Sequence, residues 1–392
     1  MNTIKFLLSV FLVLLLVSLL PVTAPVYAQM TEPGSTEPYS GKPLCMPGTY
    51  LEDPEDCLPF GPSQFLTEMA LQGISYPSRP LPAAHPDPAL NEVSINFAKI
   101  NAEPTEPVAV YSSVQDASSG TNPTRFIPAG MLRFVSYTQR MDVDGKHFVQ
   151  LGSGEWMRAS PASISIFQGL QFKSNPQTSF GWIVESTRPR NGPGYQFSET
   201  ARNLYREEVV QIYQVQKVIQ TDWYMIGLNE WVDRRYIRQV KVNTTPPEGV
   251  ENNRWIELNL YEQTLTVYEN GQILFATLIA SGVEPYYTQP GLFHIYLKKP
   301  TETMTGAFAA DKSDFYYLED VPWTMYYDKA RAIHGAYWRT MFGYPQSHGC
   351  VNLSIGDARW MYDWAKDGDW VYVWDPSGQT PTDPALYTDG GA

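Results

Sequence analysis

The sequence predicts a mostly β chain: two small β-barrels in tandem, then a mixed, β-rich domain with one or two helices. Three observations lead there. Between Glu106 and about Val242, short strand-like runs such as VAVYSS, MLRFVSY, VVQIYQVQKVI and DWYMIGL alternate with turn residues. Two of these segments match at an offset of 75 residues, so that Gly152, Glu155 and Trp156 recur as Gly227, Glu230 and Trp231. From about Trp255 the texture changes to longer alternating strands flanking Asn270-Gly271, followed late in the chain by a helical pattern.

The N-terminus sets the first boundary. Lys5 precedes an almost unbroken apolar run from Phe6 to Leu20, Pro21 interrupts it, and Val26-Tyr27-Ala28 offers small residues at the positions a signal peptidase reads. The run is shorter than the ~20 residues of a membrane-spanning helix. Residues 1–28 therefore read as a secretory signal, with an uncleaved anchor as the alternative, and the expected location is outside the cytoplasm, in the cell envelope. Without the signal, 364 of 392 residues remain, enough for two or three domains. The formal net charge is −13, which argues against nucleic acid or anionic lipid as partners.

Residues 29–103 are Pro-rich and lack apolar periodicity, as in YPSRPLPAAHPDPAL, and read as a spacer rather than a packed domain. Cys45 and Cys57 lie within it and could form a small clip. The two small β units are expected at 104–165 and 166–245. Trp156 and Trp231 either pack the cores of these units or form a ligand shelf. The last domain is expected at 250–376. It opens on a hairpin at Glu269-Asn270-Gly271, since Asn-Gly between alternating runs is a strong turn signal. The expected helix, IGDARWMYDWAKD, is capped by Ser354 ahead of Asp357. The final strand is Asp369 to Trp374, and 377–392 form a polar tail.

The third cysteine, Cys350, has no obvious partner. In AIHGAYWRTMFGYPQSHGCVNLS, His334 precedes it by 16 residues and His348 by two. Cysteine attack on an amide needs a base for the thiol proton and donors for the oxyanion, and His is the side chain suited to the first task near neutral pH. A zinc site is an alternative reading, though neither CxxC nor HxxxH spacing accompanies these residues. An inert buried thiol is another, but Cys350 stands in polar, turn-like sequence. His85, His147 and His294 read as structural.

Ser347-His348-Gly349-Cys350-Val351-Asn352, with His334-Gly335 upstream, resembles the signature of L,D-transpeptidases with a YkuD-type catalytic domain. The resemblance runs from about Trp255 to Trp374, including Asn270-Gly271 and Val321-Pro322-Trp323. It departs at Thr288-Gln289-Pro290-Gly291, where the family usually has Thr-Pro-x-Gly. The two upstream units, over one short segment each, resemble bacterial SH3-like domains of wall-associated proteins.

The first resemblance implies a set of roles. Cys350 would be the nucleophile and His334 its base, oriented by the Gly335 carbonyl. His348 and Gly349 would build the pocket floor, with nearby backbone N–H groups holding the oxyanion. Ser347 and Asn352 would fix the loop or bind substrate. Arg339 is the nearest cation for a peptide carboxylate, and Tyr326, with Tyr327 and Trp338, would line the cleft unless packed in the core. The implied reaction is cleavage of a peptidoglycan tetrapeptide stem through a Cys thioester and transfer to an amine, giving L,D cross-links. No metal or organic cofactor is implied, and carbapenem-type β-lactams would inhibit. A carboxypeptidase or wall-protein attachase on the same site, a non-catalytic wall-binding protein, and a sortase-type transpeptidase are the alternatives.

Overall fold

The computed structural model describes residues 80–387, apart from 308, 310 and 313, together with residue 71. The expected signal at 1–28 and the expected Cys45–Cys57 clip lie outside the described residues. The α-helices described in full are Val114–Ser119 and Ile355–Trp364; strands dominate the rest.

Two large sheets carry the C-terminal third. The first runs in the order Ala83–Ala84, Leu170–Phe172, Gln272–Leu278, Thr264–Glu269, Arg254–Asn259, Trp370–Trp374, Gly291–His294. Its centre is the expected hairpin: Glu269 pairs with Gln272, and both turn residues, Asn270 (φ 51°) and Gly271 (φ 77°), adopt the left-handed conformation that a two-residue turn requires. The second sheet runs Val351–Leu353, Arg331–Gly335, Tyr316–Asp328, Leu132–Tyr137, Asn96–Lys99, Ser160–Pro161, with Leu297–Gly306 also pairing onto Tyr316–Asp328. Helix Ile355–Trp364 starts as expected, with the Ser354 hydroxyl accepting from the Asp357 N–H. One core joins these parts: Ile256, Leu258, Val267, Phe275, Met325, Ile333, Val351, Met361 and Val371.

The two expected barrels are not closed barrels. The strands around the first Trp form an open five-stranded sheet, Pro123–Ile127, Val108–Tyr111, Trp156–Arg158, Lys146–Gln150, Gln139–Val143. The strands around the second form two separate three-stranded sheets. The repeat survives as two similar hairpins, each placing its Trp in the interior (Trp156 9 % exposed, Trp231 8 %) and its Glu on an Arg: Glu155 on Arg125, Glu230 on Arg202. Leu132–Tyr137, expected inside the first barrel, instead pairs in parallel with Tyr316–Leu318. The reason lies in its side chains. Phe134 belongs to one cluster with Leu318, Val321 and Tyr337, and Val135 to another with Val110 and Val149, so both faces need cover that a lone small barrel does not supply.

The spacer reading also fails from residue 80 onward. Leu81 and Ala83 sit in a cluster with Phe180, Trp182, Trp255 and Tyr268, and Ala83–Ala84 forms the edge of the first sheet. Pro holds backbone extended and lacks an N–H, which suits it to a sheet edge, so Pro-rich sequence here contributes an edge strand. Phe97 in turn stacks on Tyr337 with ring centroids 3.6 Å apart, tying Asn96–Lys99 to the segment after His334.

Two buried polar groups fasten upstream strands to the last domain. Glu262 accepts from the Tyr224 hydroxyl (3.2 Å) and the Gln239 N–H (2.9 Å). Asp357 accepts from the Gly169 N–H (2.9 Å) and the Thr277 hydroxyl (2.5 Å), and Gly169 allows this approach because a Cβ there would stand 2.4 Å from the Ala276 carbonyl oxygen. Burial pushes the Asp357 carboxyl up to about 6, with its hydrogen bonds pulling the other way. The folded state therefore binds this proton more tightly than the unfolded chain does. The resulting stability is full below the unfolded value of 3.8 and is lost as pH rises through about 6. Asp357→Asn, which cannot titrate, is expected to gain on wild type by roughly 3 kcal/mol between pH 4 and pH 7, read from denaturant midpoints at each pH. A constant difference across that range would refute the assignment.

Candidate active site

Two adjacent parallel strands set the site. Ile333 pairs with Val351 and His334 with Asn352. Side chains alternate along a strand, so Ile333 and Val351 enter the core while His334 and Asn352 share the opposite face. Cys350 stands one residue before its strand and two before Asn352, which puts its thiol on the His334 face. The Ala332 N–H, on the neighbouring strand, donates to Cys350 Sγ at 3.4 Å. Tyr326 pairs with Ala332 from the other side, which brings its half-buried phenol onto this face as well. The sequence spacing of 16 residues is thus converted to strand neighbours.

The loop ahead of Cys350 is pinned from both ends. Ser347 Oγ donates to the Cys350 carbonyl (2.5 Å) and accepts from the Gly349 N–H (3.1 Å). Thr288 Oγ1 donates to the Gly349 carbonyl (2.9 Å) and accepts from the Gly282 N–H (2.9 Å). Gly349 has φ +118°, a conformation that favours glycine, and its N–H donates to Ser347 Oγ at 3.1 Å. His348 is half-buried between Tyr286 (ring centroids 4.8 Å apart) and Tyr316 (5.9 Å).

The imidazole of His334 is fully buried and its tautomer is fixed by its neighbours. Arg339 Nε donates to Asn352 Oδ1, so Asn352 turns its Nδ2 toward His334 Nε2, at 3.2 Å. Nε2 therefore accepts, and Nδ1 carries the proton to the Gly335 carbonyl oxygen at 3.2 Å. The role expected of Gly335 is present in the geometry. The guanidinium of Arg339 is also engaged by the Gln346 side chain (3.1 Å) and main-chain carbonyl. Ser347, Asn352 and Arg339, considered above for substrate contact, all make internal hydrogen bonds here, with Ser347 2 % and Asn352 1 % exposed. Among the described residues no side-chain hydrogen bond to Tyr326 is seen, and its ring lies 6.3 Å from that of Tyr296.

Burial sets the electrostatics. It pulls His334 down to about 4, helped by the nearby charge of Arg339, and pushes Cys350 up to about 12 against the Ala332 N–H and the Arg331 charge. Near neutral pH the resting pair is thiol and neutral imidazole rather than an ion pair. At rest the thiol points to the Ala330 carbonyl at 3.8 Å and the one accepting nitrogen of the imidazole, Nε2, is held by Asn352, so Nε2 takes the thiol proton only when Asn352 yields it. Arg331 and Ala332 were not singled out from the sequence, and Thr288 was named only within a departing motif. Arg331 closes the two-residue turn Lys329-Ala330 and pairs with Asp328 at 2.7 Å; only the strand register shows that it flanks the thiol. Among the described residues no group of three or more His, Cys, Asp or Glu side chains is arranged to hold a metal ion.

Two expectations follow. Acylation of Cys350 by an electrophilic amide should be flat between pH 5.5 and 8.5 and fall only toward about 4, where His334 gains its proton; a sharp limb near 6.5 would instead reveal an ordinary, solvated histidine. Asn352→Ala should slow that acylation roughly tenfold or more through loss of the tautomer lock, and lower the melting temperature because Arg339 loses a buried partner, so the rate is read where both proteins are folded. An unaltered rate would remove Asn352 from the mechanism.

With this geometry in view, comparison with known proteins gives a consistent answer. Residues 253–373 match the YkuD family, the L,D-transpeptidase catalytic domain. A curated relative, L,D-transpeptidase 1 of Mycobacterium tuberculosis, is 29 % identical over 217 residues, covering 48 % of this chain and 84 % of that protein. A solved L,D-transpeptidase from Stackebrandtia nassauensis is 27 % identical, with a TM-score of 0.26, over 33 % of this chain and 57 % of that one. An L,D-transpeptidase solved in complex with imipenem is 19 % identical, with a TM-score of 0.30, over 54 % of this chain and 93 % of that one.

Proposed function

We propose that this chain, whose residues 253–373 are a YkuD-type L,D-transpeptidase catalytic domain, is an exported acyltransferase that remodels peptidoglycan stem peptides through a thioester on Cys350. The observation that carries the reading is the placing of the Cys350 thiol and the His334 imidazole on one face of two paired strands, with the tautomer of His334 fixed. The Cys350 sulfur attacks the carbonyl carbon of the third residue of a tetrapeptide stem, in the amide that joins it to the fourth. Its proton passes to His334 Nε2, which Asn352 Nδ2 yields, as the S–C bond forms. The C–N bond then breaks, His334 returns the proton to the leaving amine, and the terminal residue departs. An amine of a second stem attacks the thioester, loses its proton to His334, and restores the thiol. Conserving the acyl bond as a thioester lets a cross-link form without a nucleoside triphosphate. Water in place of the amine makes the same site a carboxypeptidase. Tyr326 and the His348 ring, held between two tyrosines, border the reacting face and would meet the stem peptide.

The electrophile that tests this is a carbapenem, by analogy with the relative solved with imipenem. Intact-mass measurement after incubation with imipenem is expected to show one covalent adduct, absent in Cys350→Ala and formed at least roughly a hundredfold more slowly in His334→Ala. An adduct that persists in Cys350→Ala would sink the scheme. Digestion of treated peptidoglycan then separates the two outcomes, cross-linked dimers marking the transferase and shortened stems the carboxypeptidase.

A further inference from the structure

The match to the catalytic family ends at residue 373, but the chain beyond it returns to the site. The tail leaves Trp370–Trp374 through a tight turn. There the Asp375 carboxylate accepts from Ser377 and from Thr380, each through its N–H (2.8 Å) and its hydroxyl (2.6 and 2.7 Å). Ser377, Gln379 and Thr380 then face Gly282 and Thr288, which hold the loop that presents Cys350. A 3-10 turn, Pro384–Leu386, is capped by Asp383 and delivers Tyr387, whose hydroxyl donates to the Pro381 carbonyl. The segment is polar, as its sequence predicts, yet its path is fixed.

The guanidinium of Arg331 lies over the ring of Tyr387, 5.2 Å from its centroid. Arg331 is only 2 % exposed. Its Nη1 bonds Asp328 at 2.7 Å, while its Nε edge faces the Gly349 turn, 3.2 Å from where a Cβ on Gly349 would stand. The ion pair is thus a dipole with its positive end toward the loop that carries Cys350. A cation enclosed between a carboxylate and an aromatic face is felt farther than a solvated one, because little water screens it. Both neighbours register it. Burial pushes the Cys350 thiol and the Tyr387 phenol each up to about 12, and the Arg331 charge draws each back.

We infer that the C-terminal tail completes the active site. Tyr387 holds the Arg331 guanidinium, dry and in place, against the turn that carries Cys350, so that its charge favours negative charge on the sulfur as the thiol reacts. Arg331 and Tyr387 are positioning residues; neither touches the reacting atoms. The inference rests on the reading of Cys350 as the nucleophile, and adds that a residue beyond the family match sets its reactivity. A tail that merely braced the loop would need only bulk at position 387. An electrostatic role needs an aromatic face there, since any other side chain admits water to the guanidinium and screens it.

The test alkylates Cys350 in the full chain, read from the mass of its own peptide so that Cys45 and Cys57 do not contribute. Iodoacetamide is neutral and iodoacetate is an anion, so the ratio of their rates reports the field at the thiol. Tyr387→Leu is expected to slow the iodoacetamide reaction roughly fivefold and the iodoacetate reaction roughly twentyfold. Tyr387→Phe, which keeps the ring and loses the bond to Pro381, should stay within about twofold of wild type. Tyr387→Leu added to Arg331→Gln should change neither rate further, because the two side chains act as one. Tyr387 is half-buried near the end of the chain, so its variants fold even where the Arg331 variant does not, and the Leu and Phe comparison then decides alone. Wild-type rates in Tyr387→Leu, equal slowing in Tyr387→Phe, or an unchanged ratio between the two reagents would each overturn the inference. A missing imipenem adduct is a separate result: it would overturn acyl transfer on Cys350 and leave the alkylation comparison standing.

Discussion

The parallel pairing of Arg331–Gly335 with Val351–Leu353 is the constraint on which the site depends. Parallel neighbours need a connection that leaves one strand and returns to the same end of the next, and such connections are commonly helical. Here residues 336–350 make the return without a helix, so their backbone groups need other partners. The strand end near Ser281 supplies them: its carbonyl accepts from both the Gln346 and Ser347 N–H groups, and the Ile279 carbonyl accepts from Gly343. Arg339 closes the same loop from inside through Gln346 and Asn352. The loop that delivers the nucleophile is thus a rigid extension of the first sheet, set against the edge of the second.

The same pairing dictates the electrostatic character of the site. A residue between two packed strands and under aromatic neighbours loses water, and an isolated charge there is costly. Neutral thiol and neutral imidazole are the forms that this interior tolerates at rest. Polar side chains around them therefore act mainly by orientation. Asn352 is the clearest case: held by one cation, it passes directionality but no net charge to His334.

What could be read from the sequence divides along a physical line. Features encoded within a few residues were legible, among them the Asn270-Gly271 turn and the Ser354 cap. Features encoded by distant partners were not. Leu132–Tyr137 reads as a strand in isolation, but nothing local says that its second face is covered by Val321 and Tyr337. The Pro-rich stretch around Leu81 lacks periodicity, and only the vacancy beside Leu170–Phe172 gives it a place in a sheet. Arg339 looked like a free cation because its partners, Asn352 and Gln346, lie across a fold that sequence order hides.

The interleaving of early and late strands has a consequence for biosynthesis. A chain made from its N-terminus produces Asn96–Lys99 and Leu132–Tyr137 long before Tyr316–Asp328, the strand that completes their sheet, exists. Ala83–Ala84 and Leu170–Phe172 wait similarly for Gln272–Leu278. Such long-range pairings are slow to form and leave apolar faces such as that of Phe134 open in the meantime. Completion is therefore a late, concerted event in which the last third of the polypeptide acts as the keystone. The strand pair that places Cys350 beside His334 is complete only after that final closure.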